Sequence, residues 1–103
     1  MKLMTKELEK KFEKYPLYSQ DGLLEESKVI VKYFNPCGAG TWLITEGEKQ
    51  DGEWIFYGYC HITEWEWGYV SLAELESVRL PFGLTIEREL YDADNKLVKD
   101  YLY

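Results

Sequence analysis

A chain of 103 residues with 46% apolar and 17% aromatic residues is long enough for one hydrophobic core and too rich in Trp and Tyr for a disordered acidic tail. The net charge is −7 and uneven: residues 1–32 hold seven Lys against six acids, whereas residues 46–94 hold twelve acids against Lys49, Arg79 and Arg88. The acidic balance disfavours direct nucleic-acid binding, which relies on clustered Lys and Arg, and an anionic membrane surface, and two cysteines are too few for a disulfide scaffold.

The N-terminus runs straight into charged residues, with no apolar stretch of signal or membrane-spanning length, so a cytoplasmic protein with reduced thiols is expected. Thr5 is a candidate N-cap, followed by an apolar stripe of Leu8, Phe12 and Tyr15 at helical spacing. Early Glu7 and Glu9 and late Lys10, Lys11 and Lys14 suit the helix dipole, and Pro16 stops the helix. After a connector over 17–27, residues 28–34 are rich in β-branched and aromatic types and read as a strand. Pro36, Gly38 and Gly40 mark a loop. Strands over 41–46 and 53–62, joined by a polar turn over 47–52, predict a hairpin.

Glu64-Trp65-Glu66-Trp67-Gly68-Tyr69 alternates acid and aromatic and breaks at Gly68. Ser71 and Glu74 form a capping box, with Val70 and Leu75 as its hydrophobic staple, so a second helix starts there and buries Leu72, Leu75 and Val78. Pro81 and Gly83 end it, and Leu84, Ile86, Arg88 and Leu90 alternate as a fourth strand. Asp92 to Asn95 read as a turn or helix cap, and the tail from Lys96 as a short helix or an edge strand. The expected fold is α+β, one domain over 1–103: an antiparallel sheet of about four to five strands with the N-terminal helix and a second short helix packed on it.

The residue types that carry chemistry gather around Cys37, Cys60 and His61. If Glu46 pairs with Glu53, Ala39 faces Cys60, and Cys37 becomes its diagonal neighbour with Cβ atoms about 7 Å apart. That is too far for a disulfide and within the span of two thiolates on one zinc, with Glu64 as a further ligand and His61 able to join only through a bulge or a strand end. Free structural thiols are the plainer reading, because no CxxC pair is present. A thiol enzyme using Cys60 and His61 is disfavoured, since adjacent strand residues face opposite ways.

A second candidate site is a contact surface made of Trp65 and Trp67 among Glu64 and Glu66, with Glu53 and Asp51 and near Tyr57, Tyr59 and Tyr69. Trp and Tyr dominate interface hot spots, although the same rings also fill the cores of small domains. The acidic segment would attract a protein with a basic surface.

Phe34-Asn35-Pro36, residues 40–46, residues 66–76, Pro81, Gly83-Leu84, Ile86-Glu87-Arg88 and the opening residues 3–8 together resemble an uncharacterised bacterial family, domain-of-unknown-function family 2958. The resemblance implies a compact stand-alone domain, often carried on plasmids, phages and other mobile elements, with no established activity and no catalytic residues to carry over. Cys37 and His61 depart from the family pattern, where other types, Asp among them, are expected. A metal corner there would therefore belong to this chain and not to the family. Mobile-element carriage points to a counter-defence inhibitor of a CRISPR or restriction nuclease, whose basic DNA channel an acidic, aromatic surface would fit. The alternatives are a small metal- or thiol-dependent enzyme centred on Cys37, Cys60 and His61, and a plasmid-maintenance accessory protein.

Overall fold

A computed structural model describes residues 1–90 and 96–102 of the chain. Thr5 is extended, and its hydroxyl accepts the Leu8 amide at 3.2 Å, so helix α1 (Lys6–Lys14) begins where the cap was expected. Leu8 and Phe12 are buried and Tyr15 packs beside them. A buried aromatic or Leu side chain stabilises by roughly 1.5–3 kcal/mol, which is what holds a nine-residue helix too short to persist alone.

Strand β1 (Val31–Phe34) is shorter than the predicted 28–34, and Lys28 instead forms an isolated bridge to Leu97. β2 (Thr41–Gln50) and β3 (Glu53–His61) form the expected hairpin, but the turn is only Asp51-Gly52. Both turn residues have positive φ (51° and 80°), as a two-residue type I′ turn demands, and Gly52 meets that demand without a Cβ clash. The tighter turn overturns the pairing of Glu46 with Glu53: Gln50 faces Glu53, and Glu46 faces Tyr57 in mid-strand. A β-bulge at Thr45 then shifts the register, bringing Leu43 opposite Tyr59, Trp42 opposite Cys60 and Thr41 opposite His61.

β4 (Trp65–Ser71) runs straight through Gly68, where a break was expected, with Gly68 opposite Gly58 in an unbroken register with β3. The Ser71–Glu74 capping box is present in both directions and opens α2 (Leu72–Ser77). Leu75 is buried, with Val70, Leu72 and Val78 packed around it. The predicted fourth strand over 84–90 contracts to β5 (Glu87–Arg88), paired with Tyr33 and Phe34 of β1. Ile86 is buried while Leu84 and Leu90 are exposed, so the alternation outruns the pairing. The tail from Lys96 is a helix, α3 (Val98–Leu102), with Leu97 bridged to Lys28. The predicted turn over Asp92–Asn95 lies outside the described residues.

The strands form one antiparallel sheet in the order β4-β3-β2-β1-β5, and the fold is α+β. Its larger core lies under α1 and α2, where Phe12, Tyr33, Ile44, Phe56, Leu75 and Ile86 meet. Tyr33 donates its hydroxyl to the Leu3 carbonyl at 2.7 Å, satisfying a polar group inside that core. A smaller cluster under α3 holds Val29, Leu43 and Val98, bordered by Tyr59, Trp65, Trp67, Tyr101 and Leu102. Among the described residues no helix is long and apolar enough to cross a membrane.

Candidate functional site: an aromatic ladder beside an open sheet edge

The observed register dissolves the diagonal pairing of Cys37 and Cys60. Cys60 stands between Trp42 and Glu66, and Ala39 lies in the loop before β2. Cys37 is exposed in the same loop, its amide donating to Asn35 Oδ1 at 2.7 Å. His61 alternates to the other face of the sheet, its ring 5.1 Å from that of Trp65. Glu64 is exposed in the short connection between β3 and β4. Among the described residues no group of three or more His, Cys, Asp or Glu is gathered as a metal site. Burial pushes the Cys60 thiol up to about 12, so it stays protonated at neutral pH, the opposite of an activated nucleophile.

The aromatic residues form a continuous row. Strand alternation puts Tyr57, Tyr59 and His61 of β3 and Trp65, Trp67 and Tyr69 of β4 on one face. Tyr69 lies 4.9 Å from Tyr57, Tyr57 stacks 5.8 Å from Trp67, and Trp67 lies 4.8 Å from Tyr59. Tyr59 stacks 4.9 Å from Trp65, and Trp65 leans on His61. Such pairs prefer tilted or offset contact, and each adds about 0.5–1.5 kcal/mol beyond area burial. One end of the row packs against α3, and the other opens to solvent at Tyr69, 57% exposed.

At that open end the connector after α1 folds over the bulge. Glu46, 3% exposed, accepts the Tyr18 amide at 2.7 Å and the Gln20 amide at 2.9 Å, and Glu48 accepts the Leu17 amide at 3.0 Å. The buried Gln20 side chain donates to the carbonyls of Lys28 and Thr45 and accepts the Lys28 amide. Tyr18 is held at φ 74°, a left-handed backbone unfavourable for a bulky residue, with its side chain 70% exposed. The hydrogen bond that the Tyr69 hydroxyl donates to Tyr18 is the main cause that raises Tyr69 to about 12. Burial first, and then the Glu46 carboxylate, also raise Tyr57.

The predicted contact residues are thereby divided. Trp65 and Trp67 belong to the ladder, whereas Glu66 projects to the opposite face beside Cys60, into a shallow cleft of about 240 Å³. Glu53 accepts the Ala73 amide at 3.2 Å, tying β3 to the start of α2, and Asp51 forms the hairpin tip. Sequence reasoning missed Tyr18, Gln20 and Glu46 altogether. The Asp51-Gly52 dipeptide was the signal that would have placed Glu46 in mid-strand.

No curated protein and no solved structure matches the chain. The family model described as "Protein of unknown function (DUF2958)" matches residues 3–103. With the match running from Leu3, ahead of the Thr5 cap, to Tyr103, the protein belongs to domain-of-unknown-function family 2958.

Proposed function

We propose that this is a non-enzymatic protein-binding module whose contact surface is the open end of the aromatic ladder, centred on Tyr18, Tyr57 and Tyr69. The carrying observation is Tyr18: a large aromatic kept exposed on a left-handed backbone by buried carboxylate hydrogen bonds. Unlike exposed Phe82, whose backbone is also left-handed, Tyr18 is held there by a buried carboxylate, and strain over-determined by its surroundings is a ground for proposing function. Tyr is also suited to contact, because its rigid ring covers much area at a small loss of rotamer freedom.

The partner is a protein with a basic surface. Residues 50–78, which supply β3, β4 and α2, contain six acids (Asp51, Glu53, Glu64, Glu66, Glu74 and Glu76) and no Lys or Arg. Such a field speeds encounter with a positive partner. A defence nuclease with a basic DNA channel is the concrete case, favoured by the mobile-element carriage that the family resemblance implies. The non-enzymatic reading is supported by the protonated Cys60 thiol and by its separation from His61 across the sheet.

The test is native mass spectrometry of the tagged protein recovered gently from a bacterial host with nuclease-based defence. The wild type is expected to arrive bound to a basic protein, and the Tyr18→Ser/Tyr69→Ser variant to arrive alone while retaining its fold. Equal recovery of the partner by both would overturn the reading. Extra mass of one metal ion would return attention to Cys37, Cys60, His61 and Glu64.

A further inference from the structure

We infer that the partner is held by strand addition: an extended segment alternating basic and apolar residues pairs with the free edge of β4. This rests on the protein-binding reading above and specifies how the partner engages. β4 is the terminal strand of the sheet, seven residues long, or about 23 Å of edge.

The direction of its main-chain groups follows from the neighbouring strand. The Tyr57 carbonyl faces β2, where Thr45 Oγ1 donates to it at 3.2 Å. In an antiparallel ladder alternate residues bond to opposite sides, so Phe56, Gly58 and Cys60 bond to β4. Their cross-strand partners are Val70, Gly68 and Glu66. The amides and carbonyls of Trp65, Trp67 and Tyr69 therefore point outward. Ser71 has the same parity, but its amide is already given to the Glu74 carboxylate at 3.1 Å. Among the described residues, no turn or loop main-chain bond ends on Trp65, Trp67 or Tyr69.

The two edges of the sheet are treated differently. β5 is two residues long, and Arg88 is tied to the N-terminal segment, its Nε donating to the Lys2 carbonyl at 3.1 Å. Short edges covered in this way resist pairing. β4 has no Pro, no Lys and an unbroken register from Ser71 to Trp65. Beside Gly68 nothing stands within 4 Å of where a side chain would begin.

Charge and alternation choose the occupant. One set of side chains on an incoming strand would lie against Trp67 and Tyr69, and the other beside Glu66 and the cleft next to it. Apolar residues suit the first row and Lys or Arg the second. A second copy of this chain would bring no Lys or Arg to Glu66, since residues 50–78 contain none, whereas a cationic segment meets opposite charge there.

The experiment titrates the full chain with a short peptide alternating Lys and Val, and with two N-methylated versions carrying methyl groups on all Lys amides or on all Val amides. Binding should slow hydrogen exchange at the Trp67 and Tyr69 amides while leaving Gly68 unchanged. One methylated series should bind at least about tenfold more weakly and the other nearly as well, because only one row of peptide amides faces β4. A peptide alternating Glu and Val should not bind. Failure of the Lys-Val peptide to bind overturns the inference. So does binding without new amide protection or with equal loss in both methylated series, which leaves the ladder reading intact. Protection of Trp67 and Tyr69 that grows with protein concentration alone would make a second copy the occupant and overturn it too. Loss of the ladder reading itself shows only in the tyrosine variant above.

Discussion

The carboxylate of Glu46 accepts the main-chain amide of Tyr18 at 2.7 Å across 28 residues of sequence, and that bond orients an exposed tyrosine from inside the protein. Glu46→Ala leaves the amides of Tyr18 and Gln20 without their acceptor and should destabilise the fold by about 2–3 kcal/mol, read from urea unfolding. Glu46→Gln keeps the shape and an acceptor oxygen and should lose less. Both should weaken partner binding beyond their effect on stability, since Tyr18 loses its orientation.

Tyr69 should titrate late. Its hydroxyl, raised to about 12 chiefly by the Tyr18 hydrogen bond, keeps that bond's contribution below the ordinary tyrosine range and loses it as pH rises through about 12. Tyr18→Phe should bring one tyrosine back toward about 10 in an ultraviolet pH titration. An unchanged titration curve would show that the bond does not form in solution.

The two thiols should separate cleanly. Cys37 is exposed and should react promptly with a thiol reagent at pH 8, whereas Cys60 should react only as the protein opens. Because burial raises Cys60 from 9.0 to about 12, its contribution to stability is complete below pH 9 and fades as pH climbs toward 12. Cys60→Ala should flatten that part of the alkaline stability profile, measured by circular dichroism melts.

Gly58 and Gly68 face each other across β3 and β4 and should respond very unequally to alanine. A Cβ on Gly58 would run into the main chain of Leu43 and Ile44, which cannot step aside, so Gly58→Ala should cost about 3 kcal/mol or more, or prevent folding. Gly68→Ala meets open space and should leave the melting temperature within a few degrees of wild type.

Phe82 is 98% exposed at φ 62° in the turn after α2. Phe82→Gly removes left-handed strain of about 1–2 kcal/mol and no buried contact, offset in part by a freer unfolded chain, so it should raise stability by about 0.5–1 kcal/mol in denaturant unfolding.

Elements specified by short-range chemistry were legible. The Thr5 cap and the Ser71–Glu74 box act within three residues, and both helices start where those residues stand. The hairpin was legible as a unit, but Gly47, Glu48, Lys49 and Gln50 looked like turn residues, although the two-residue Asp51-Gly52 turn leaves them in the strand. That displacement moved every facing pair and undid the Cys37–Cys60 geometry. Gly68 looked like a break because glycine weakens strands in general, whereas the ladder with β3 runs unbroken from Ser71 to Trp65 through it. Glu64-Trp65-Glu66-Trp67 carried the period of a strand, yet two alternating residue types do not say which face a helix will cover. Glu46, Gln20 and Tyr18 stayed hidden because their bonds join segments 26 and 28 residues apart.

Those same long-range bonds have a kinetic consequence. The connector over 16–23 can dock only on a β2 strand that already carries its bulge, since Glu46 and the Thr45 carbonyl are the groups it binds. Closing loops of that length before their contacts exist is entropically unfavourable, whereas a hairpin joined by two residues closes locally. The β2–β3 ribbon should therefore form first, and the connector that presents Tyr18 should be the last segment to lock and the first to release. If Tyr18 is the contact residue proposed above, its place on that late-locking segment would let it adjust to a partner while the β2–β3 ribbon beneath stays formed.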